Sequence, residues 1–176
     1  MHSRARPSLG CSVGPLRSHA LSLLTPLAVR IGSISWMPKL LPQIVATDRA
    51  LERVSGGRLS LLDVAGLPNL VLTTTGRKSG QPRSTPLLCV PTLDTVLIAG
   101  SNFGGPKEPL WVANIEAQPR VTISMDGATR EMVATHLEGD ARATAWERML
   151  RVWPNFALYE TRTRRQIKVF ELAPAK

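Results

Sequence analysis

The residues best suited to chemistry lie in one short basic segment. The apolar, β-branched run from Leu70 to Thr74 ends at a glycine, and cations, a hydroxyl and another glycine follow: Gly76, Arg77, Lys78, Ser79, Gly80 and Arg83. Glycine lets backbone N–H groups turn toward a ligand, and Arg and Lys add positive charge. This composition favours an anion site at a strand end, and a solvated hairpin turn is the alternative.

A second suggestive segment spans residues 99–119. An apolar strand opens into a Gly-Gly loop, and Pro109 suits the first turn of a helix because its φ is fixed. Trp111 and Ile115 lie four residues apart on one helix face, and Pro119 should end the helix. A loop that leads into a helix N-terminus is good geometry for a flat, anionic cofactor.

Together the two segments resemble a known family. The motifs TTTGRKSGQPR and SNFGGPKEPLWVANIEAQP, in this order and with a strand between them, are similar to those of deazaflavin-dependent nitroreductases and quinone reductases. The resemblance covers about residues 66–172. It implies an FMN-binding split-barrel-like fold with reduced coenzyme F420, an 8-hydroxy-5-deazaflavin, as hydride donor. FMN and haem occur in the same fold, but the GRKSG pairing favours F420.

The resemblance also assigns cofactor contacts. Residues that would hold the phosphate, the acidic tail or the ribityl chain are Arg77, Lys78, Ser79, Arg83 and Thr85. Residues that would line the ring or its chain are Pro86, Leu87, Leu88, Ala99, Gly100, Ser101, Asn102, Leu110, Trp111, Val112, Ala113 and Asn114. Plain core packing is the alternative for Trp111 and for Pro86, Leu87 and Leu88, and a backbone bridge or a cap is the alternative for Asn114.

Three aromatic residues match the acceptor side: Trp153, Phe156 and Tyr159. Nitroreductase relatives carry tyrosine at all three corresponding positions, and this chain keeps only Tyr159. Because Trp and Phe lack an O–H, Tyr159 is the expected catalytic proton donor, with water or backbone N–H groups as alternatives. An apolar, planar quinone is the first expected acceptor, a nitroaromatic the second, and an unsaturated lipid or enone the third. An aromatic lid packed on the barrel is the alternative.

No other catalytic set stands out. The sequence offers no Ser-His-Asp, Cys-His or paired-carboxylate arrangement and no metal-ligand spacing, which suits an enzyme whose cofactor performs the chemistry. Cys89 is expected to be a buried apolar residue in a reduced, cytoplasmic protein.

The net charge of +9 favours anionic partners. Nucleic acid is not expected, because aromatic residues do not interleave with the cations as a base-stacking surface requires. The phosphodiester and glutamate tail of F420 account for the turn cations. Two other functions stay open, namely an F420 carrier without turnover and a basic membrane-surface or polyanion-binding module.

The chain divides into three predicted segments. Residues 1–47 form a basic extension without acidic residues, either a flexible arm or a segment resting on the inner face of the membrane. Residues 48–65 form a helical lead-in that Thr47 caps, and residues 66–174 form the cofactor-binding barrel.

The predicted fold is α+β and mainly β, a split β-barrel of about six antiparallel strands with flanking helices. Strands are expected at 69–75, 84–91, 95–100, 121–125, 129–137 and 166–172, with Asp126-Gly127 as a hairpin turn. Helices are expected at 109–117 and 141–152, the second capped by Asp140.

Overall fold

The structure, a computed structural model, describes residues 66–175 of the chain. The predicted extension at 1–47 and the lead-in at 48–65 therefore lie outside the described residues. Six antiparallel strands close into a barrel in the order β1-β2-β3-β6-β5-β4. They are β1 (Asn69–Thr75), β2 (Pro82–Pro91), β3 (Val96–Ala99), β4 (Arg120–Met125), β5 (Ala128–Leu137) and β6 (Val169–Pro174). The predicted fold class is confirmed.

Three α-helices accompany the barrel within these residues: α1 (Leu110–Ala117), α2 (Gly139–Val152) and α3 (Asn155–Arg162). A short 3-10 turn, Asn102–Gly104, lies in the loop between β3 and α1. α1 therefore connects two opposite parts of the barrel wall, whereas α2 and α3 form the long connection between β5 and β6.

Alternation along the strands places one face of the sheet inside the barrel. In β1 the side chains of Leu70, Leu72 and Thr74 are buried, and the residues between them are half-buried. α1 contributes to the same core, because Trp111 and Ile115 are buried among these strand residues. The predicted helix face is thus the face that closes the barrel interior.

A second core lies between the outer face of the barrel and a helical layer formed by α2 and α3. Trp146 and Met149 of α2 are buried there against Leu97 of β3. The two helices are also tied together by Glu160, which accepts hydrogen bonds from Arg142 Nη2 at 3.2 Å and Trp146 Nε1 at 2.9 Å. This layer therefore has a fixed position on the barrel.

Several details differ from the predicted elements. β2 begins at Pro82, two residues early, and β6 begins at Val169, three residues late. Asp140 lies in the first turn of α2, and Glu138 occupies the N-cap without a side-chain capping hydrogen bond. α3 is absent from the prediction, and Pro154 serves as its N-cap. The Asp126-Gly127 turn is confirmed, with φ of 53° and 77°.

Candidate cofactor site

The basic turn, residues 76–83, is held by hydrogen bonds within itself. Gly76 N–H donates to Gln81 O at 2.8 Å, Gly80 N–H donates to Gly76 O at 2.7 Å, and Ser79 N–H donates to the same oxygen at 3.1 Å. Gln81 N–H donates to Ser79 Oγ at 3.3 Å. These N–H groups are therefore committed to the turn, and Ser79 acts as one of its internal acceptors.

The cations of the basic turn point to solvent. Arg77, Lys78 and Arg83 are exposed, and none of them forms an ion pair with a carboxylate of residues 66–175. The other described cations include several that are paired, such as Arg142 and Lys168. A group of unpaired cations on a rigid turn fits a polyanion such as a phosphodiester with a glutamate tail.

The basic turn is tied to α1 through a buried amide. Arg77 N–H donates to Asn114 Oδ1 at 3.1 Å, and Asn114 Nδ2 donates to Thr74 Oγ1 at 3.1 Å. Asn114 is 8% exposed, so both bonds lie in a low-dielectric environment where their loss is costly. The structure thus brings together two predicted site residues, Arg77 and Asn114.

The predicted residues of β2 fall on two faces of the strand. Register pairs Thr85 with Leu72 and Leu87 with Leu70, so Thr85 and Leu87 face the barrel interior. The alternate positions, Pro86 and Leu88, face outward, and Leu88 packs against the helical layer. One ligand surface cannot contact all four side chains from a single side of the sheet.

The barrel wall opens beside the basic turn. β1 pairs with β4 only from Val71–Ser124 to Thr73–Thr122, whereas its pairing with β2 continues to Thr75–Pro82. A cavity of about 260 Å³ lies at this opening, lined by Thr73, Thr74, Thr75, Pro82, Arg120, Val121, Thr122, Glu131, Met132 and Ala175. Its lining contains none of the predicted site residues.

The loop between β3 and α1 is close-packed against the helix. A Cβ on Gly100 would lie 2.8 Å from Val112 Cγ2, closer than carbon atoms approach, so only glycine fits there without a shift. Gly100 N–H donates to Lys168 O at 2.9 Å. Asn102 has a φ of 47°, and its Nδ2 donates to Lys107 O at 2.9 Å. Asn102 is therefore used to shape the loop.

Two cations after α3 hold this loop from the other side. Arg165 donates from Nη2 to Ser101 O at 2.8 Å and from Nε to Gly105 O at 3.3 Å. Lys168 forms an ion pair with Glu108 at 3.4 Å and a second ion pair with Glu116. The hydrogen bond to Glu116 raises the pKa of Lys168. The loop therefore has fixed contacts to α1 and to the strand entry of β6.

The first turn of α1 presents apolar residues of opposite exposure. Leu110 is 81% exposed, one of two large exposed apolar side chains among the described residues, whereas Trp111 and Val112 are buried in the barrel core. Ala113 is half-buried. Leu110 and Ala113 are thus the residues of this turn that offer apolar surface to a ligand.

The three aromatic acceptor-side candidates lie in the helical layer. Trp153, Phe156 and Tyr159 are at most 7% exposed, and Phe156 stacks edge-on against Tyr159 with centroids 6.0 Å apart. The rings of Tyr159 and Phe103 are also in edge contact, with centroids 5.6 Å apart, which brings the aromatic layer against the loop between β3 and α1. This arrangement is the packed aromatic layer that the sequence left as an alternative.

The Tyr159 hydroxyl is a buried acceptor. Trp153 Nε1 donates to Tyr159 Oη at 3.3 Å. An indole N–H can only donate, so the hydroxyl directs its own hydrogen elsewhere. Burial raises the pKa of Tyr159 above its ordinary value of 10.0, although the Trp153 bond and the charge of Arg162 oppose this effect. Tyr159 therefore keeps its proton at neutral pH.

Sequence reasoning missed three residues that shape the site. Thr74 bonds Asn114, Arg165 bonds the loop carbonyls, and Phe103 contacts Tyr159. The alternation Leu70, Leu72, Thr74 already places a threonine on the buried face, and that pattern could have identified it. Nothing in the local sequence marks Arg165, because its partners lie about sixty residues earlier.

Comparison with known proteins identifies a family. The sequence profile of the F420H(2)-dependent quinone reductase family matches residues 44–174. A protein named F420H(2)-dependent quinone reductase, from Mycobacterium tuberculosis strain H37Rv, is 33% identical over 135 residues, which are 74% of this chain and 89% of the relative.

Two solved structures are similar to this chain in both sequence and fold. One described as an F420-H2 dependent reductase (FDR-A) is 35% identical with a TM-score of 0.56, covering 60% of this chain and 93% of that chain. Another, described as a domain-swapped dimer, is 33% identical with a TM-score of 0.59, covering 72% of this chain and 93% of that chain. The family profile covers most of this chain. The chain therefore belongs to the F420H2-dependent quinone reductase family, as its two motifs predict.

Proposed function

We propose that this oxidoreductase reduces a quinone with reduced F420, and that the basic turn holds the anionic end of the cofactor. The observation that carries the assignment of the turn is its set of three exposed cations, Arg77, Lys78 and Arg83, without a carboxylate partner among residues 66–175. Charge-assisted hydrogen bonds of this kind are the strong ones in cofactor recognition.

Bound F420H2 would supply a hydride from C5 of its deazaflavin, in a two-electron step. The residues of this chain bind and orient it. Arg77, Lys78 and Arg83 neutralise the phosphate and the glutamate carboxylates. Leu110 and Ala113 offer apolar surface for the ring. Gly100 lies directly against Val112, so the backbone of the adjacent loop packs closely on α1. Both groups of residues meet at α1, through Asn114 on one side and Leu110 on the other.

Tyr159 is the proposed proton donor to the reduced acceptor. Its hydroxyl accepts from Trp153 and holds its own hydrogen, since burial raises its pKa. Trp153 and Phe156 would shape an apolar wall, which suits a planar quinone better than a nitroaromatic. A nitroaromatic is the second proposed acceptor. Peripheral membrane contact through residues 1–47 is a separate proposal, which rests on the positive charge of that segment.

The test is a fluorescence titration of the protein with oxidised F420, with FMN as the ligand control. Arg77→Ala, Lys78→Ala and Arg83→Ala should each weaken F420 binding about tenfold, because each removes a charge-assisted contact. Arg148→Ala, an exposed cation on α2, is the matched control and should leave the affinity unchanged.

Equal effects of Arg148→Ala and the turn variants would contradict the assignment of the basic turn. Steady-state oxidation of F420H2 with menadione then separates enzyme from carrier. Turnover supports the proposed reaction, whereas saturable F420 binding without turnover, in the presence of menadione and nitroaromatics, would support the carrier function instead.

A further inference from the structure

Thr74 is a buried polar residue that, together with Asn114, borders the apolar core of the barrel. It is 2% exposed on the inner face of β1, directly after Leu70 and Leu72 in the alternation. A buried hydroxyl is stable only when it is hydrogen-bonded. Its partners lie on two other elements, since it accepts from Asn114 on α1 at 3.1 Å and donates to Arg83 O on β2 at 3.4 Å.

The bonds around Thr74 form one directed chain. Arg77 N–H donates to Asn114 Oδ1, Asn114 Nδ2 donates to Thr74 Oγ1, and Thr74 Oγ1 donates to the main-chain oxygen of Arg83. The hydroxyl of Thr74 both accepts and donates here, whereas valine, which has nearly the same shape, can do neither. The chain joins the backbones of two cation-bearing residues at both ends of the basic turn.

We propose that Thr74 is a positioning residue for the anionic end of the cofactor. It fixes the backbone of Arg77 through Asn114 and the backbone of Arg83 by a direct hydrogen bond, so that the two cations are correctly spaced before the ligand arrives. Such preorganisation raises affinity by lowering the entropy lost on binding. The inference rests on the proposed function of the basic turn, and it assigns to Thr74 no contact with the ligand.

The neighbouring threonine provides a matched control. Thr73 lies next in the chain but on the outer face of β1, where its Oγ1 forms a hydrogen bond of 2.9 Å with Ser84 Oγ. Thr73→Val and Thr74→Val therefore remove the same atoms from the same strand. Only the second removes the hydrogen bonds of Thr74 to Asn114 Nδ2 and to Arg83 O, which support the contact between Asn114 and Arg77 N–H.

The experiment measures binding of two ligands by fluorescence: F420 and the deazaflavin chromophore that lacks the phosphate and the glutamate tail. Thr74→Val should weaken F420 about tenfold, since it removes the acceptor of Asn114 Nδ2 and so loosens the amide that holds Arg77 N–H. It should change binding of the tail-free chromophore less than about twofold. Thr74→Ser keeps the hydroxyl and should retain wild-type affinity. Thr74→Ala, which imposes no steric demand, should reproduce the selective loss.

Three results would overturn the inference: unchanged F420 affinity in Thr74→Val, equal weakening of both ligands, or the same loss in Thr73→Val. Arg77→Ala separates this failure from failure of the proposed function. If Arg77→Ala weakens F420 but Thr74→Val does not, only the positioning role fails. If neither weakens F420, the basic turn does not hold the tail.

Discussion

Single residues in this protein take roles that their type does not reveal. Asn114 is expected among the cofactor contacts, but its amide accepts from Arg77 N–H and donates to Thr74 Oγ1. Ser79 likewise accepts a bond from Gln81 N–H within its own turn. Residue types in the two motifs could therefore be predicted to form a site, but their division between ligand contact and internal support depends on partners far away in sequence.

Tyr159 should titrate above its ordinary pKa. It is the only tyrosine of the chain, so tyrosinate absorbance reports on this residue alone. We expect the midpoint to lie above 10.0 in the folded protein, because burial disfavours the phenolate, and to return to 10.0 in denaturant. A midpoint at or below 10.0 in the folded protein would contradict the observed burial.

The same shift predicts how stability depends on pH. Since the folded-state pKa of Tyr159 is higher than the unfolded value, its contribution to the free energy of unfolding is complete below about pH 10 and is lost as pH rises through the folded pKa. Tyr159→Phe should remove this alkaline loss and, as the proposed proton donor, lower kcat with a quinone about a hundredfold. An unchanged kcat would assign the proton to water or a backbone N–H.

Elements are positioned by close contacts as much as by hydrophobic burial. α1 lies against the loop after β3 with Gly100 and Val112 in direct contact, and it reaches the basic turn through Asn114. The helix therefore contacts both the loop and the turn. The sequence predicted this helix within one residue, because Pro109 and Pro119 flank an apolar stripe.

Gly100→Ala tests this packing. The added methyl would lie 2.8 Å from Val112 Cγ2, so α1 or the loop must shift, and the free energy of unfolding should fall by about 1–3 kcal/mol. Val112→Ala alone should cost about 2 kcal/mol for the lost methyl groups.

The double variant Gly100→Ala with Val112→Ala should lose less free energy of unfolding than the two single variants lose together, because the second change makes room for the first. Urea unfolding of all four proteins measures the coupling. Strict additivity, within about 0.5 kcal/mol, would show that the two side chains do not share this space.

α3 shows where element prediction stopped. Trp153, Phe156 and Tyr159 recur at intervals of three, which is a helical spacing, but Pro154 stands among them and no helix is predicted after residue 152. In the structure Pro154 is the N-cap and Asn155 begins the helix. The prediction failed because a proline at the start of a helix and a proline inside one look alike without a known boundary.

At the scale of the whole molecule, fold class and family could be predicted more securely than local boundaries. The two motifs indicate the family, and the predicted split barrel, enzyme class and F420 cofactor are confirmed. The order of the strands around the barrel comes from the structure alone. The family profile starts at residue 44 and thus takes in the 48–65 segment as well as the barrel. Among residues 66–175, no helix is long and apolar enough to cross a bilayer.

Charge should control binding over the whole molecule. With a net charge of +9 and turn cations that have no carboxylate partner among residues 66–175, F420 affinity should fall about fivefold between about 0.05 and 0.5 M salt, because counterions screen the exposed charges. Arg77→Ala should show a shallower dependence, whereas Arg148→Ala should keep the wild-type slope. The same slope in all three proteins would mean that net charge alone, and not the turn, attracts the cofactor.

The internal bonding of the basic turn has a consequence for cofactor choice. The N–H groups of Gly76, Ser79, Gly80 and Gln81 are already bonded inside the turn, so long, adjustable side chains are left to meet the tail. Flexible cations respond to the total negative charge of a ligand, and each glutamate unit of the tail adds one carboxylate. We therefore expect affinity to rise with each added glutamate until the cations of the turn are all occupied, and molecules whose tails are neutral to bind weakly.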